Sequence, residues 1–229
     1  MTLMPEHSKD LEKSGLSDNV AKEANIKSVP QEQIFEMLGF SIDGIISMYE
    51  IPFDSEYSRF RIFYEDGKEF SKDGSKKPKY LTKKDTENRL YMPSKVTSVL
   101  ENVSIPLNIT EGEKKALKAC QEGLDCIGIT GLWNWKVKGK DELIPDFDKI
   151  ALDGRTIYLI PDNDWLEPDR KGERKNLKQA VHGLAYLLID KGAKVYWREL
   201  PKGEEKIGMD DYLCMHSVAH LKKLPVCEI

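Results

Sequence analysis

Apolar and polar positions change rhythm twice along the 229 residues. Between residues 7 and 40 apolar side chains recur at helical spacing in short stretches. One is DNVAKEA, behind a Ser17 suited to cap a helix, and another is QEQIFEML. From 45 to 70 they alternate, first in IISMYEIPF and then in SRFRIFYED, which predicts half-buried strands. The Asp66-Gly67 pair between Phe63 and Phe70 carries the turn signal of a hairpin. A polar, lysine-rich loop, KDGSKKPKY, follows, and then a short strand-like NRLYMP. Residues 1–103 are expected to form a small α+β subdomain.

From residue 104 the strands lose their alternation. IPLNIT (105–110), LDCIGIT (124–130), TIYLIPD (156–162) and KVYWREL (194–200) are continuous apolar runs. Helical patterns separate them: EKKALKACQEG, a loop with a possible helix over 131–153, and NLKQAVHGLAYLLIDKG. In the last of these Leu177, Val181, Leu184 and Leu188 share a face, and Gly192 is a good helix stop. Continuous apolar strands alternating with helices predict a mostly parallel sheet covered on both faces. The expected class is α/β: a domain over 104–229 with a mostly parallel sheet flanked by helices, preceded by the small N-terminal α+β subdomain.

Composition narrows the class. Hydrophobic residues make up 40% and charged residues 32%, which describes a globular protein. No apolar run approaches the ~20 residues that cross a bilayer, and MTLMPEHSKDLEKSG lacks the grammar of a signal peptide. A cytoplasmic, reducing setting with no membrane partner is expected. Cys120, Cys126, Cys214 and Cys227 form no C-x-x-C pair, which disfavours a zinc ribbon and suits buried free thiols. Charge is unevenly spread. Residues 59–95 hold 11 Lys and Arg against 6 Asp and Glu, within a chain of net charge −4. An acidic protein with one basic stripe suggests a local anion site.

In a parallel sheet, ligands gather at the carboxyl ends of the strands. The first of these strands ends in Thr110-Glu111-Gly112, the third in Pro161-Asp162-Asn163-Asp164, and the fourth runs on to Gly208-Met209-Asp210-Asp211. Three strand ends thus bring carboxylates to one edge. Clustered carboxylates repel unless neutralised, and a hard divalent cation, Mg²⁺ or Mn²⁺, is the usual remedy. Gly112 lets the chain turn sharply, and the helix starting there aims its N–H groups at an anion. Such parts suit phosphoryl or nucleotidyl transfer. Each piece also has a plainer account: a D-x-D pair serves as a turn or cap, Glu111 suits a helix dipole, and Asp210–Asp211 is a solvated pair.

Over residues 104–214 this order of motifs resembles the toprim superfamily, the metal-binding fold of bacterial-type primases, topoisomerases and some nucleases. Glu111 matches its E-G turn, and Asp162 and Asp164 match its D-x-D. LPKGEEKIGMDDYL (200–213) resembles a primase segment that aligns Asp210 with an acidic position. SGLS, NRLYMP, TEGEKKALKA, the Gly-x-Trp-x-Trp loop and GMDDYL together resemble a toprim-like family of phage, plasmid and other mobile-element replication proteins. Lys115 stands where primases have a second acidic residue, and Gly208 where their segment has its first Asp. The resemblance therefore leaves the number of metal ions open. It implies Glu111 as general base or ligand, with Asp162, Asp164, Asp210 and Asp211 around Mg²⁺ or Mn²⁺. Lys114, Lys115 and Lys206 are candidates to neutralise phosphate.

The basic stripe supplies the other half. Arg59, Arg61, Lys72, Lys76, Lys77 and Lys79 interleave with aromatic residues such as Tyr80, and Lys83, Lys84 and Arg89 continue the series. Cations for phosphates and rings for stacking are the parts of a single-strand binder, although a solvated hairpin has the same composition. Trp133 and Trp135 are either core anchors or base-stacking platforms. His182, on the long helical stretch, is expected to be structural or exposed rather than catalytic. The reading is a Mg²⁺-dependent, primase-like nucleotidyltransferase acting on single-stranded DNA and nucleotides, with a replicative helicase or polymerase as partner in trans. Its rivals are a toprim nuclease and a non-catalytic single-stranded-DNA-binding accessory module.

Overall fold

The computed structural model describes residues 3–71, 74–164, 177–203 and 205–228. The chain divides into two compact units: Met1–Lys13 with Ser17–Thr86, and Ser14–Leu16 with Glu87–Ile229.

In the first unit, α1 (Pro5–Glu12) starts with proline at its first turn and α2 (Asp18–Glu23) is capped by Ser17, whose hydroxyl accepts from the Val20 N–H at 3.4 Å. β1 (Lys27–Val29), α3 (Ile34–Leu38), β2 (Ile45–Pro52), β3 (Ser58–Tyr64) and β4 (Tyr80–Thr82) complete it. The strands form an antiparallel sheet in chain order. Its inner face, with Val29, Met48, Phe60 and Ile62, buries Leu38 of α3. The hairpin lies elsewhere than expected. The alternating runs β2 and β3 are joined through 53–57, where Asp54 Oδ1 accepts from the N–H groups of Glu56 and Tyr57. Asp66-Gly67 does turn the chain, with Gly67 at φ 78°, and among the described residues the segment after it forms an isolated bridge, Phe70 to Lys76, rather than a named strand. The strand that pairs with β3 is β4, Tyr80 opposite Arg61. The lysine-rich loop is thus an insertion between paired strands.

The second unit comprises β5 (Leu90–Tyr91), α4 (Ser94–Thr97), β6 (Leu107–Glu111), α5 (Glu113–Gln121), β7 (Cys126–Ile129), β8 (Thr156–Ile160), α6 (Leu177–Asp190), β9 (Lys194–Arg198), α7 (Met209–Met215), α8 (Val218–Lys222) and β10 (Val226–Glu228). The sheet order is β10-β9-β8-β6-β7-β5. Its four central strands are parallel and the two edge strands antiparallel, so the expected mostly parallel, helix-flanked sheet is what forms. Residues 87–103, expected with the N-terminal part, belong to this unit because Leu90 and Tyr91 pair with Ile129 and Gly128.

β6 lies between two parallel neighbours, and Leu107, Asn108, Ile109 and Thr110 are all buried. Such side chains contribute roughly 1.5–3 kcal/mol each when apolar. Along β9, Trp197 meets His182 of α6 with ring centroids 5.9 Å apart, while Arg198 Nη1 donates to the Leu221 and Lys222 carbonyls of α8. Alternation along one strand therefore puts α6 and α8 on opposite faces. His182 is half-buried, its ring edge-on to that of Trp197. No described helix is long and apolar enough to cross a membrane. Cys120 and Cys126 are buried, and burial pushes the Cys120 thiol up to about 11; Cys214, expected to be buried, is exposed, and Cys227 is half-buried.

Candidate functional site

β6 and β8 are neighbours in parallel register, Thr110 opposite Ile160, so their carboxyl ends finish side by side. Glu111 is the last residue of β6, and Asp162 follows β8 by two residues. Gly112 then reverses direction at φ 101°, a conformation that favours glycine, and opens α5. β7 packs hard against this turn: a methyl built on Gly128 would lie 2.8 Å from the Gly112 carbonyl oxygen.

Two lysines reach the same carboxylates. Lys115, in the first turn of α5, forms an ion pair with Asp162 Oδ1. Lys206 Nζ lies 2.9 Å from Asp162 Oδ2 and 3.1 Å from Asp164 Oδ1, bridging the D-x-D pair. Burial works against its charge but is outweighed by Asp162 and Asp164, which hold the ammonium above its ordinary range. Glu111 is pushed up by burial and then by Asp162, with Lys115 and Lys206 opposing.

Asn163, which sequence reasoning passed over, positions Lys206. Its side chain donates to the carbonyls of Pro201 (3.1 Å) and Glu205 (3.2 Å) and accepts from the Ile207 N–H (2.8 Å). Its partners lie 38 to 44 positions away in the chain, so no local pattern marked it. The loop that carries Lys206 is thereby stapled to the end of β8.

Asp210 and Asp211 part company at the start of α7. Asp211 Oδ2 accepts from the Gly208 N–H at 2.8 Å, which makes it a helix cap on the surface rather than part of the carboxylate rim. Asp210 is buried and accepts a hydrogen bond from Ser14, but its Oδ1 has no partner. Burial raises its carboxyl, against the pull of Lys115. Lys114 is half-buried on α5.

Among the described residues no three His, Cys, Asp or Glu side chains are gathered as metal ligands. The donor chemistry nonetheless suits a hard divalent ion. The oxygens of Asp162 and Asp164 already hold cations, with the Lys206 ammonium as a stand-in between them, and the buried Asp210 Oδ1 lacks a partner.

The basic stripe is only partly a free surface. Arg61 pairs with Asp10 at 3.1 Å, donates to the Ile62 carbonyl and stacks over Phe63 and Tyr80. Arg59 also lies over Tyr80, at 5.0 Å, and Lys77 donates to the Asp43 carbonyl. Lys76, Lys79, Lys83 and Lys84 are exposed; Lys72 lies outside the described residues. Arg89 belongs to the second unit and pairs with Asp146 at 2.8 Å. Trp135 is a core anchor, packed on Gly183 of α6, whereas Trp133 is exposed with Lys136 5.0 Å from its ring centroid.

Comparison with known proteins agrees with this fold. The zinc-binding and RNA polymerase domains of the Aquifex aeolicus primase superpose with a TM-score of 0.64 over 98% of this chain and 57% of that one, at 15% identity. A DnaG primase catalytic domain bound to ssDNA gives 0.60 over 98% of this chain and 75% of that one, also at 15% identity. The Gene 57 protein of Mycobacterium phage D29 is 33% identical over 88 residues, 38% of this chain and 50% of that protein. An uncharacterized protein of Picosynechococcus sp. is 29% identical over 151 residues, 57% of this chain but 14% of its own length. The chain thus spans half or less of these two relatives. Residues 96–220, more than half of the chain, match the family model described as a domain of unknown function, DUF3854, and the chain belongs to that family.

Proposed function

We propose that this chain is the nucleotidyl-transfer and strand-binding part of a toprim-type, primase-like replication protein of phages, plasmids and other mobile elements, acting in the cytoplasm on single-stranded DNA and nucleotides. The observation that carries the reading is the rim itself. Two adjacent parallel strands end in Glu111 and in Asp162 to Asp164, with Lys115 and Lys206 in ion contact. Likeness to primase catalytic cores and kinship to a phage protein support it.

Glu111, Asp162 and Asp164 would hold Mg²⁺ or Mn²⁺, which stabilises the charge on attacking and leaving oxygens in phosphoryl transfer. Asp210 adds a further carboxylate at the same edge. Glu111, with its raised carboxyl, alternatively takes a proton from the attacking hydroxyl. Lys114, Lys115 and Lys206 offset phosphate charge. The exposed lysines of the first unit hold the strand backbone, Trp133 in the second unit offers a stacking face, and a replicative helicase or polymerase acts in trans.

The test is incubation with single-stranded DNA, nucleoside triphosphates and Mn²⁺, scoring new primers and cut template. Primers made by the wild type and lost in Asp162→Asn with Asp164→Asn are the expected result. Cut template without primers would assign a nuclease. Strand binding with neither product would assign an accessory module, a reading favoured by one feature: lysines already neutralise Asp162 from both sides.

A further inference from the structure

Asp162 and Asp210 are a mismatched pair of buried carboxylates. Asp162 carries two ammonium groups, Lys115 on one oxygen and Lys206 on the other. Asp210 is 7% exposed, and its Oδ1 has no hydrogen-bond partner. A buried carboxylate oxygen left unpaired is costly enough that natural structures rarely keep one without a reason. The cation best placed to reach it is Lys115. A methyl built on Gly208 would lie 2.5 Å from Lys115 Cε, 3.0 Å from Lys115 Nζ and 2.9 Å from Asp210 Oδ1, so the end of the lysine already passes over the bare Cα of Gly208, and the open carboxylate oxygen borders the same spot. The two lysines also differ in freedom. The Lys206 side chain is 56% exposed and can swing into water, whereas Lys115 at 18% is confined and needs an acceptor within the protein.

We propose that Lys115 is a tethered counterion that changes carboxylates. When a divalent cation takes Asp162, the displaced Lys115 ammonium swings over Gly208 to Asp210 Oδ1. Asp210 is then the receiver of the lysine and not a ligand of the ion. No covalent bond forms or breaks; one ion pair is exchanged for another. Without the transfer the incoming cation would face an ammonium at the same oxygen while Asp210 stayed unpaired. With it, each buried carboxylate keeps a cation. The inference rests on the reading above, in which the rim binds Mg²⁺ or Mn²⁺.

Calorimetric titration with Mn²⁺ of the wild type, Asp210→Asn, Lys115→Met and the double variant tests it, with thermal unfolding to verify that each is folded. Loss of the receiver should weaken Mn²⁺ binding roughly tenfold when Lys115 is present and leave it unchanged when Lys115 is Met, a coupling of the kind that double-mutant cycles isolate. Lys115→Met alone should tighten binding, because the ion no longer displaces an ammonium. Gly208→Ala, whose methyl would press on the Lys115 stem, is the second probe; it should change Mn²⁺ binding only when Lys115 is present. Equal losses from Asp210→Asn in both backgrounds would make Asp210 an ordinary ligand and overturn the proposal, as would no loss in either. Absence of Mn²⁺ binding by all four proteins would instead remove the metal reading beneath it.

Discussion

Asp211 accepts the Gly208 N–H at 2.8 Å on the surface, while Asp210, one residue earlier, is buried. A helix turns about 100° per residue, so adjacent carboxylates at its start meet different surroundings. Which one faces inward depends on where the helix begins, and neither residue type nor spacing states that. His7 makes the same point in the first unit. Nothing in the N-terminal sequence singles it out, yet its ring is fully buried, with Nδ1 2.7 Å from Ser28 Oγ and Nε2 3.1 Å from Ser47 Oγ. Burial lowers its pKa below 6.5, against the pull of Glu6 and Asp10. The folded state therefore binds the proton less readily than the unfolded chain. The contribution of the neutral His7 to stability is fully present above 6.5 and is lost as pH falls through the lowered value. Thermal melts from about pH 8 to about pH 5 should show a falling midpoint, and His7→Gln should flatten that slope.

Elements divide into those that follow from a local period and those that need a distant partner. The central parallel strands and α6 follow from runs of apolar residues and from the Gly192 stop, and they form where expected. The hairpin at Asp66-Gly67 does not, because a turn signal names a reversal and not the strand that pairs after it; β4, beyond the lysine-rich loop, supplies the partner. Arg155 is a second case of distant partnership. It is fully buried just before β8 and donates to the carbonyls of Leu100 (2.7 Å), Val99 (2.9 Å) and Ile105 (3.0 Å), stitching the segment before β6 to its neighbour. Arg155→Met keeps the stem and leaves those carbonyls without donors. It should destabilise the second unit by about 3–5 kcal/mol, read as a lower urea midpoint, while Lys149→Met on the surface should cost less than about 1 kcal/mol.

At the scale of the molecule, charge and chemistry are separable. The exposed lysines 76, 83 and 84 lie in the first unit and the carboxylate rim in the second. Lys76→Glu, Lys83→Glu and Lys84→Glu together should weaken single-strand binding and lower the slope of log affinity against log salt by roughly 2, as about three phosphates lose their lysine partners. Mn²⁺ affinity should be unchanged in the same variant; an unaltered salt slope would show that the strand binds elsewhere. Arg61 and Arg89 are left out of that variant because Asp10 and Asp146 already hold them, which no count of basic residues reveals. The sequence by itself determined the α/β class, the apolar strands and which strand ends carry Glu111, Asp162 and Asp164, because period and turn chemistry act over a few neighbouring residues. Tertiary structure alone decided that β6 sits between β8 and β7, that Lys115 and Lys206 converge on Asp162, and that Asp210 is left with an open oxygen. Those ion pairs join residues more than forty positions apart, and only packing brings such residues together.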